Sequence, residues 1–232
     1  MELPALLDQL FPEGHQVAVD EWLATGVATC GGETVAVLGT TNHAFIGIRE
    51  SVALSDNILD IVEKQPERTI LMLVDNNGQR MALDEELLVL PEYIAHLLRV
   101  QQLAREQGHK LIAVVYGNTV AGGFIAFGML ADRIVAVPGA EPSVMKLEAI
   151  ARVTKQPLEK LQALAQKVSV FAPGCENFFR MGGLHEIWTD DFAGRLQKIL
   201  ASDDTHDIRT TLGVERGGRQ AAQGVIDEVL KA

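Results

Sequence analysis

The chain has 232 residues, which is enough for one large domain with a substantial hydrophobic core. Its composition, with 47% hydrophobic and 22% charged residues, is ordinary for a globular protein, and no stretch approaches the roughly 20 apolar residues of a membrane span. The formal net charge of −11 argues against a nucleic-acid-binding surface. We therefore expect neither nucleic acid nor a membrane among its partners.

The N-terminal segment and the cysteines indicate the cellular location of the protein. The segment MELPALLDQL carries two acidic residues and lacks a basic region, so we expect no secretory signal. Cys30 and Cys175 form neither a metal-spaced pair nor a disulfide framework, and the six histidines show no paired ligand spacing. These features predict a cytoplasmic protein without a metal site.

Apolar β-branched runs alternate with helical spacing in the first part of the chain. The predicted elements are, in chain order, a strand at 34–38, a short apolar run at 43–48, a helix at 49–63, a strand at 69–74, a turn at 75–78 and an amphipathic helix at 83–107. Pro91 should kink or split the last helix, and Gly108 should end it. Strands that are apolar throughout favour an α/β sheet covered on both faces.

The segment 110–137 is the most informative part of the sequence. It predicts a strand at 111–116 that stops at Gly117, then a small-residue turn, and then an apolar helix that Ala121-Gly122-Gly123 opens and that ends near Asp132. A helix start after such a turn presents backbone N–H groups to a negative oxygen. Close packing of helix on strand explains the same glycines, and for an isolated case it is the commoner explanation.

A second turn, at 75–81, follows the preceding buried strand. If the two strands are neighbours, both turns lie at the edge of the sheet where α/β proteins bind ligands. Two sets of N–H donors facing one cavity would suit enolate chemistry on a thioester. Further helical patterns at 143–167, 176–181, 190–201 and 218–231 predict a helical layer, over about 143–232, within a single domain of residues 1–232.

The order of these elements resembles the crotonase superfamily, and more closely the carboxyltransferase branch of biotin-dependent carboxylases. The resemblance is carried by IAVVYGNTVAGGFIAFGMLADRIVAVPGAEPSVM, ETVAVLGTTNHAFIGIRE and LMLVDNNGQRMALDEE. With the segments FAPGCENFFRMGG and LHEIW it extends over nearly the whole chain, which most closely resembles the gamma subunits of biotin-independent malonate decarboxylases. It implies a crotonase-like α/β spiral of ββα units with a helical C-terminal layer.

The resemblance also implies a reaction and a set of partners. Such subunits pair with a homologous beta subunit in a hetero-oligomer, and together they decarboxylate a malonyl thioester on an acyl carrier protein to the acetyl thioester. The thioester belongs to the CoA-like prosthetic group of the carrier protein, and this chain binds no cofactor covalently. The chemistry passes through an enolate stabilised by backbone oxyanion holes, and this chain is expected to hold the carboxylate end.

Site residues follow from the same alignment. The amide of Gly122, with Ala121 beside it, matches the principal oxyanion donor, and Gly78 with Gln79 matches the other donor turn. These four residues are the predicted catalytic set.

Three further residues are predicted to bind substrate, namely Gly117, Gly123 and Arg80. The guanidinium of Arg80 could bind a carboxylate in a bidentate manner. An ion pair with Asp84 or Glu85 at the start of the next helix is an equally good explanation of this arginine.

Departures from the superfamily pattern exclude other reactions. Ile125 and Lys146 stand where hydratases of the superfamily have glutamates, so hydration and dehydration lose their acid and base. The five serines (51, 55, 143, 169 and 202) lie outside any nucleophile-elbow motif. The tetrapeptide Val144–Leu147 looks like a biotinylation site, but a surface or pocket-edge lysine explains it better.

Some candidates and alternatives stay open. His43 and His185 lie in segments that resemble the family, Cys175 is either a reactive thiol or a buried one, and the turn from Glu215 to Arg219 is solvated or touches an acidic carrier protein. A stand-alone crotonase-type isomerase acting on an acyl-CoA is one alternative function. A non-catalytic subunit that stabilises its partner or docks the carrier protein is the other.

Overall fold

A computed structural model describes residues 1–168, 172–218 and 220–231. Its strands are β1 (Ala18–Asp20), β2 (Leu23–Cys30), β3 (Glu33–Thr40), β4 (Ala44–Ile46), β5 (Ile70–Gln79), β6 (Leu111–Val120), β7 (Arg133–Ala136), β8 (Glu141–Ser143) and β9 (Glu186–Ile187). Its helices are α1 (Leu3–Leu10), α2 (Ile48–Lys64), α3 (Leu83–Leu87), α4 (Leu90–Glu106), α5 (Ala121–Ala126), α6 (Leu147–Thr154), α7 (Leu158–Ala165), α8 (Cys175–Arg180), α9 (Phe192–Leu200), α10 (Arg209–Glu215) and α11 (Gln220–Val229). Within these residues, every helix is too short or too polar to cross a bilayer.

One mixed sheet organises the fold, with the strand order β1-β2-β3-β5-β6-β7-β9. The strands β1, β2 and β3 are antiparallel neighbours, and from β3 to β9 each neighbouring pair is parallel. The short strands β4 and β8 pair with the carboxyl-terminal parts of β5 and β6. Parallel strands joined by helices confirm the predicted α/β architecture.

The two central strands are buried on both faces, which is why they read as continuous apolar runs. On β5, Met72 packs into a core with α2, α4 and α5, while its neighbour Leu73 faces α1 and α9 on the other side. Each buried aliphatic side chain contributes roughly 1.5–3 kcal/mol relative to an exposed one. The sheet is therefore covered on both faces, as predicted.

The predicted turns at the ends of these strands were wrong. β6 runs through Gly117 to Val120, and β5 runs through Asp75 to Gln79. β4 and β8 supply ladder partners for these extensions, so the backbone groups can remain in strands. Residues 75–79 and 117–120, which were expected to form turns, are thus part of the sheet.

The helix after β6 is also shorter than predicted. α5 ends at Ala126 instead of near Asp132, because Phe127 is extended and Gly128 has a φ of +132°. With six residues, α5 has only a small dipole. Any affinity for a negative oxygen must therefore come chiefly from individual N–H groups.

Other boundaries follow the sequence more closely. Pro91 splits the predicted long helix, with Val89 in a left-handed conformation between α3 and α4. Gly108 closes α4 with a φ of +87°, as expected at a helix end. The N-terminal α1, β1 and β2 were not predicted, and neither were the short β8 and β9 that interrupt the helical C-terminal part. The extent of the domain, residues 1–232, stays a prediction.

Candidate active site

The ends of β5 and β6 form one edge of the sheet and bring the two predicted donor segments together. Asn76 of β5 pairs with Thr119 of β6 in the parallel register. Gln79 follows Asn76 by three residues, and Gly122, at the start of α5, follows Thr119 by three. This adjacency confirms that both segments lie at the carboxyl-terminal edge. It is the position at which α/β sheets commonly bind ligands.

The predicted principal donor is in direct contact with the other predicted donor segment. The amide of Gly122 donates a hydrogen bond to Gln79 Oε1 at 3.1 Å. A methyl group in place of the Gly122 hydrogen would lie 2.7 Å from the same oxygen. Ala121, with a φ of +44°, turns the chain into α5 at this point. The Gln79 amide oxygen thus accepts from the predicted donor, and the catalytic roles of Gly122, Ala121, Gly78 and Gln79 stay predictions.

The other glycines of the site allow close packing. Gly78 has a φ of +95° and its amide donates to Asn76 Oδ1 at 3.2 Å. A side chain on Gly123 would come within 2.7 Å of Gly78 Cα, and one on Gly117 would collide with Asp75. The predicted substrate-binding residues Gly117 and Gly123 therefore have a packing role in the fold. Contact with substrate stays a prediction for both.

Arg80 is held by two carboxylates. Its Nη2 lies 3.1 Å from Glu50 Oε1, and its Nε lies 3.4 Å from Glu85 Oε1. Glu50 is buried and also accepts the Gly47 amide at 2.9 Å. The alternative of an ion pair with Glu85 is thus confirmed, and Glu50 is the partner that sequence reasoning missed. Substrate binding by Arg80 stays a prediction.

A histidine and a carboxylate form a second constellation at the same edge. His43 Nδ1 lies 2.6 Å from Asp75 Oδ1, and the His43 amide donates to Asp75 Oδ2 at 2.9 Å. Asp75 is buried and also accepts the Asn118 amide at 2.9 Å, whereas the imidazole is exposed. Both residues line an open cavity of about 910 Å³ that lies against α1. Sequence reasoning named His43 but assigned Asp75 only to a turn, although an acid directly after a buried strand is a usable signal.

The remaining candidates lie in structural positions. His185 is buried, its Nδ1 accepts the Ile134 amide at 3.0 Å, and burial lowers its pKa to about 4, so the ring is neutral. Burial raises the pKa of the Cys175 thiol to about 11, and its Sγ donates to the Ala140 carbonyl. A reactive thiolate at Cys175 is therefore disfavoured.

The structure also shows the surroundings of Arg216, in the C-terminal turn, and of Lys146. Arg216 donates to the Phe179, Leu184 and His185 carbonyls and stacks on the Phe179 ring, so it is tied into the fold. Lys146 is exposed and lines a cavity of about 390 Å³, as expected of a pocket-edge lysine. Arg219 and Ser169 lie outside the described residues. Among the described side chains, no group of three or more histidine, cysteine, aspartate or glutamate residues could hold a metal ion.

Solved structures share this architecture. A Pseudomonas malonate decarboxylase hetero-tetramer in complex with coenzyme A contains a chain with a TM-score of 0.76 and 23% identity, covering 98% of this chain and 97% of that one. The Pseudomonas MdcD-MdcE hetero-dimer gives a TM-score of 0.72 at 24% identity, with the same coverage. Transcarboxylase 12S matches at a TM-score of 0.68 and 17% identity, over 86% of this chain and 40% of its own. The predicted crotonase-like α/β fold is confirmed.

Sequence comparisons carry the assignment further. The malonyl-S-ACP:biotin-protein carboxyltransferase of Malonomonas rubra is 26% identical over 196 residues, which span 75% of this chain and 67% of that protein. The profile of the malonate decarboxylase gamma subunit family (MdcE) matches residues 41–232, which include both donor segments and the helical C-terminal part. The chain therefore belongs to the malonate decarboxylase gamma subunit family.

Proposed function

We propose that this chain forms one half of a decarboxylase active site, which a homologous beta subunit completes. The substrate is a malonyl thioester on an acyl carrier protein, and the products are the acetyl thioester and CO2. The observation that carries the proposal is the amide of Gly122, which meets Gln79 at the open edge of the sheet. Family membership supplies the reaction class.

The reaction demands stabilisation of one negative oxygen. The bond between the α-carbon and the carboxylate breaks, its electron pair moves toward the thioester carbonyl, and the resulting enolate takes a proton on the α-carbon. A backbone N–H aimed at the enolate oxygen needs no reorganisation during this step, and one such donor contributes about 10²–10³ in rate. The Gly122 amide can be that donor once the enolate oxygen displaces Gln79 Oε1 as its acceptor.

The surface beside the site supports a hetero-oligomer. After Arg80, which follows Gln79, Met81, Leu83, Leu87 and Leu88 expose between 62% and 82% of their surface. A run of large exposed apolar side chains is typical of a surface that a partner covers. A partner docked there would stand directly beside the donor segments and could complete the pocket.

Related proteins support the carrier and the thioester. The Malonomonas relative acts, by its name, on malonyl-S-ACP, and the Pseudomonas hetero-tetramer was solved with coenzyme A. We propose that the substrate arm here is likewise a CoA-like group on a carrier protein, with no cofactor bound covalently to this chain. We also propose a cytoplasmic location, for which the two free cysteines are the support.

The test is to assay the purified chain with and without its beta-type partner and to follow CO2 release from malonyl thioester. We expect release only when both subunits are present. Activity of this chain alone would contradict a shared active site and would favour a stand-alone enzyme. Full activity of the partner alone would show that this chain is a stabilising or docking subunit.

A further inference from the structure

A small cavity lies at the carboxyl-terminal end of β6, close in sequence to Gly122. Its volume is about 390 Å³, and Val120, Pro142, Ser143, Lys146 and Leu147 are among the residues that line it. The parallel register of β6 and β8 places Ser143 directly opposite Val120. Val120 precedes Gly122 by two residues, a chain length of at most about 7 Å. A group bound in the cavity would therefore be a near neighbour of a group bound at the amide.

The cavity wall contains a polar atom without a partner. Ser143 is 4% exposed, and its Oγ is buried with no hydrogen-bond partner among the described residues. Buried hydroxyl groups are nearly always hydrogen-bonded, so such an orphan needs an explanation. Because Ser143 lines the cavity, a ligand oxygen bound there would provide a partner for this hydroxyl.

Two further features of the cavity would attract a negatively charged ligand. Lys146 lines it, and its side chain is exposed. The same residue is the N-cap of α6, an eight-residue helix whose first residues, Leu147 and Glu148, also line the cavity. The first amides of a helix have no acceptor within the helix and favour an anion.

The cavity also has carboxylates, and they restrict what it can bind. Glu141 and Glu148 line it and are exposed. Their repulsion disfavours a doubly charged phosphate more strongly than a single carboxylate, and water and salt screen it at exposed positions. Val120, Pro142 and Leu147 form an apolar part of the wall, and Asn118 adds a polar amide.

We propose that this cavity binds the free carboxylate of the malonyl group, through the Lys146 ammonium and the Ser143 hydroxyl. The inference rests on the proposed function and assigns two binding residues to it. The thioester oxygen then lies at the Gly122 amide and the breaking carbon–carbon bond lies between the two positions. As the bond breaks, its electron pair enters the enolate and the carboxylate becomes neutral CO2, which the apolar part of the wall accommodates better than an ion. The proton that completes acetyl formation comes from water.

The test uses the complex with the beta subunit and the variants Lys146→Ala and Ser143→Ala. We expect KM for malonyl-CoA to rise about 10-fold in Lys146→Ala and severalfold in Ser143→Ala, since each loses a hydrogen bond to a charged group. The inhibition constant of acetyl-CoA, which lacks the carboxylate, should not change. Lys146→Arg should recover most of the loss.

Matched controls separate this effect from general damage. Lys160→Ala removes another exposed lysine, and Ser51→Ala removes another buried hydroxyl without a hydrogen-bond partner, on α2 away from the cavity. Both should keep the KM of the wild type. An unchanged KM in Lys146→Ala, or an equal weakening of malonyl-CoA and acetyl-CoA, would overturn the inference.

The experiments also distinguish an error in the proposed function from an error in the proposed carboxylate site. If the wild-type complex releases no CO2, that function is wrong, and calorimetry with malonyl-CoA and acetyl-CoA still tests the carboxylate site. A preference for malonyl-CoA that Lys146→Ala removes would support the site. Equal affinities in the wild type would exclude it.

Discussion

Gly122 and Gln79 are joined by a hydrogen bond from the Gly122 amide to Gln79 Oε1, 3.1 Å long, across the ends of two parallel strands. The amide is the donor expected to face the substrate oxygen, and the Gln79 side chain already satisfies it. A substrate oxygen that binds to this amide, as we propose, replaces the Gln79 oxygen as its acceptor. The exchange favours an enolate, because a charged oxygen forms a stronger hydrogen bond than a neutral amide oxygen does.

The first prediction concerns this competition. Gln79→Ala removes the internal acceptor and should lower KM for malonyl thioester about 2- to 10-fold, since a neutral hydrogen bond contributes about 0.5–1.5 kcal/mol. Gln79→Glu places a carboxylate on the amide and should raise KM at least about 10-fold. Initial rates of the complex measure both, with Gln102→Ala on the exposed face of α4 as control. Identical KM values in the two variants would contradict the competition.

The second prediction concerns the glycine itself. Gly122→Val fills the space in front of the amide and should reduce decarboxylation by about 10²–10³, the contribution of one oxyanion donor. Assembly with the beta subunit, followed by size-exclusion chromatography, should not change. Gly224→Ala is the control, because a side chain there meets open space. A Gly122→Val complex with the wild-type rate would assign the glycine to packing alone.

The third prediction distinguishes the two explanations of Arg80. Because its partner Glu50 is buried, Arg80→Ala leaves a carboxylate with only the Gly47 amide and should lower the free energy of unfolding by about 1–3 kcal/mol. Urea unfolding measures the loss, and Arg99→Ala, exposed on α4, should show little change. Unchanged stability combined with a raised KM would assign Arg80 to the substrate instead.

The fourth prediction concerns pH and His185. Burial, followed by the charges of Arg133 and Arg209, lowers its pKa from 6.5 to about 4, while Asp207 acts in the opposite direction. The unfolded chain therefore takes up the proton first as the pH falls. The stability due to neutral His185 is complete above about pH 6.5 and is lost toward pH 4, by roughly 3 kcal/mol at most.

Urea unfolding of wild type and His185→Asn between pH 7.5 and 4 checks this dependence. The asparagine oxygen can still accept the Ile134 amide but does not titrate, so the variant should lose less stability on acidification. His96→Asn, at an exposed position, should follow the wild type. Parallel curves for wild type and His185→Asn would show that the imidazole does not set the acid limit.

Most single elements could be predicted from local sequence. The strands at 34–38 and 69–74 and the helix at 49–63 lie within β3, β5 and α2. The spacing of apolar residues, the apolar content and flanking prolines are all properties of neighbouring residues. A short stretch of sequence is therefore enough to predict such an element. The split at Pro91 follows for the same reason.

Strand ends and helix length could not be predicted in this way. β5 and β6 extend beyond Val74 and Tyr116 because β4 and β8 pair with them, and those partners come from other parts of the chain. Asp75 looked like a turn residue but holds the His43 imidazole and two amides. Such pairings depend on which segments meet.

By itself the sequence determined the α/β class, the family and the glycine segments at 78–79 and 121–123, because apolar periodicity and motif residues are local. The tertiary structure alone decided the partners of these residues. It placed the Gly122 amide on Gln79, 43 positions away, and the Arg80 guanidinium on Glu50. It also brought the unpartnered hydroxyl of Ser143 opposite Val120. Strand register and the crossover connections between strands determine these contacts, and neither can be read from a short stretch of sequence.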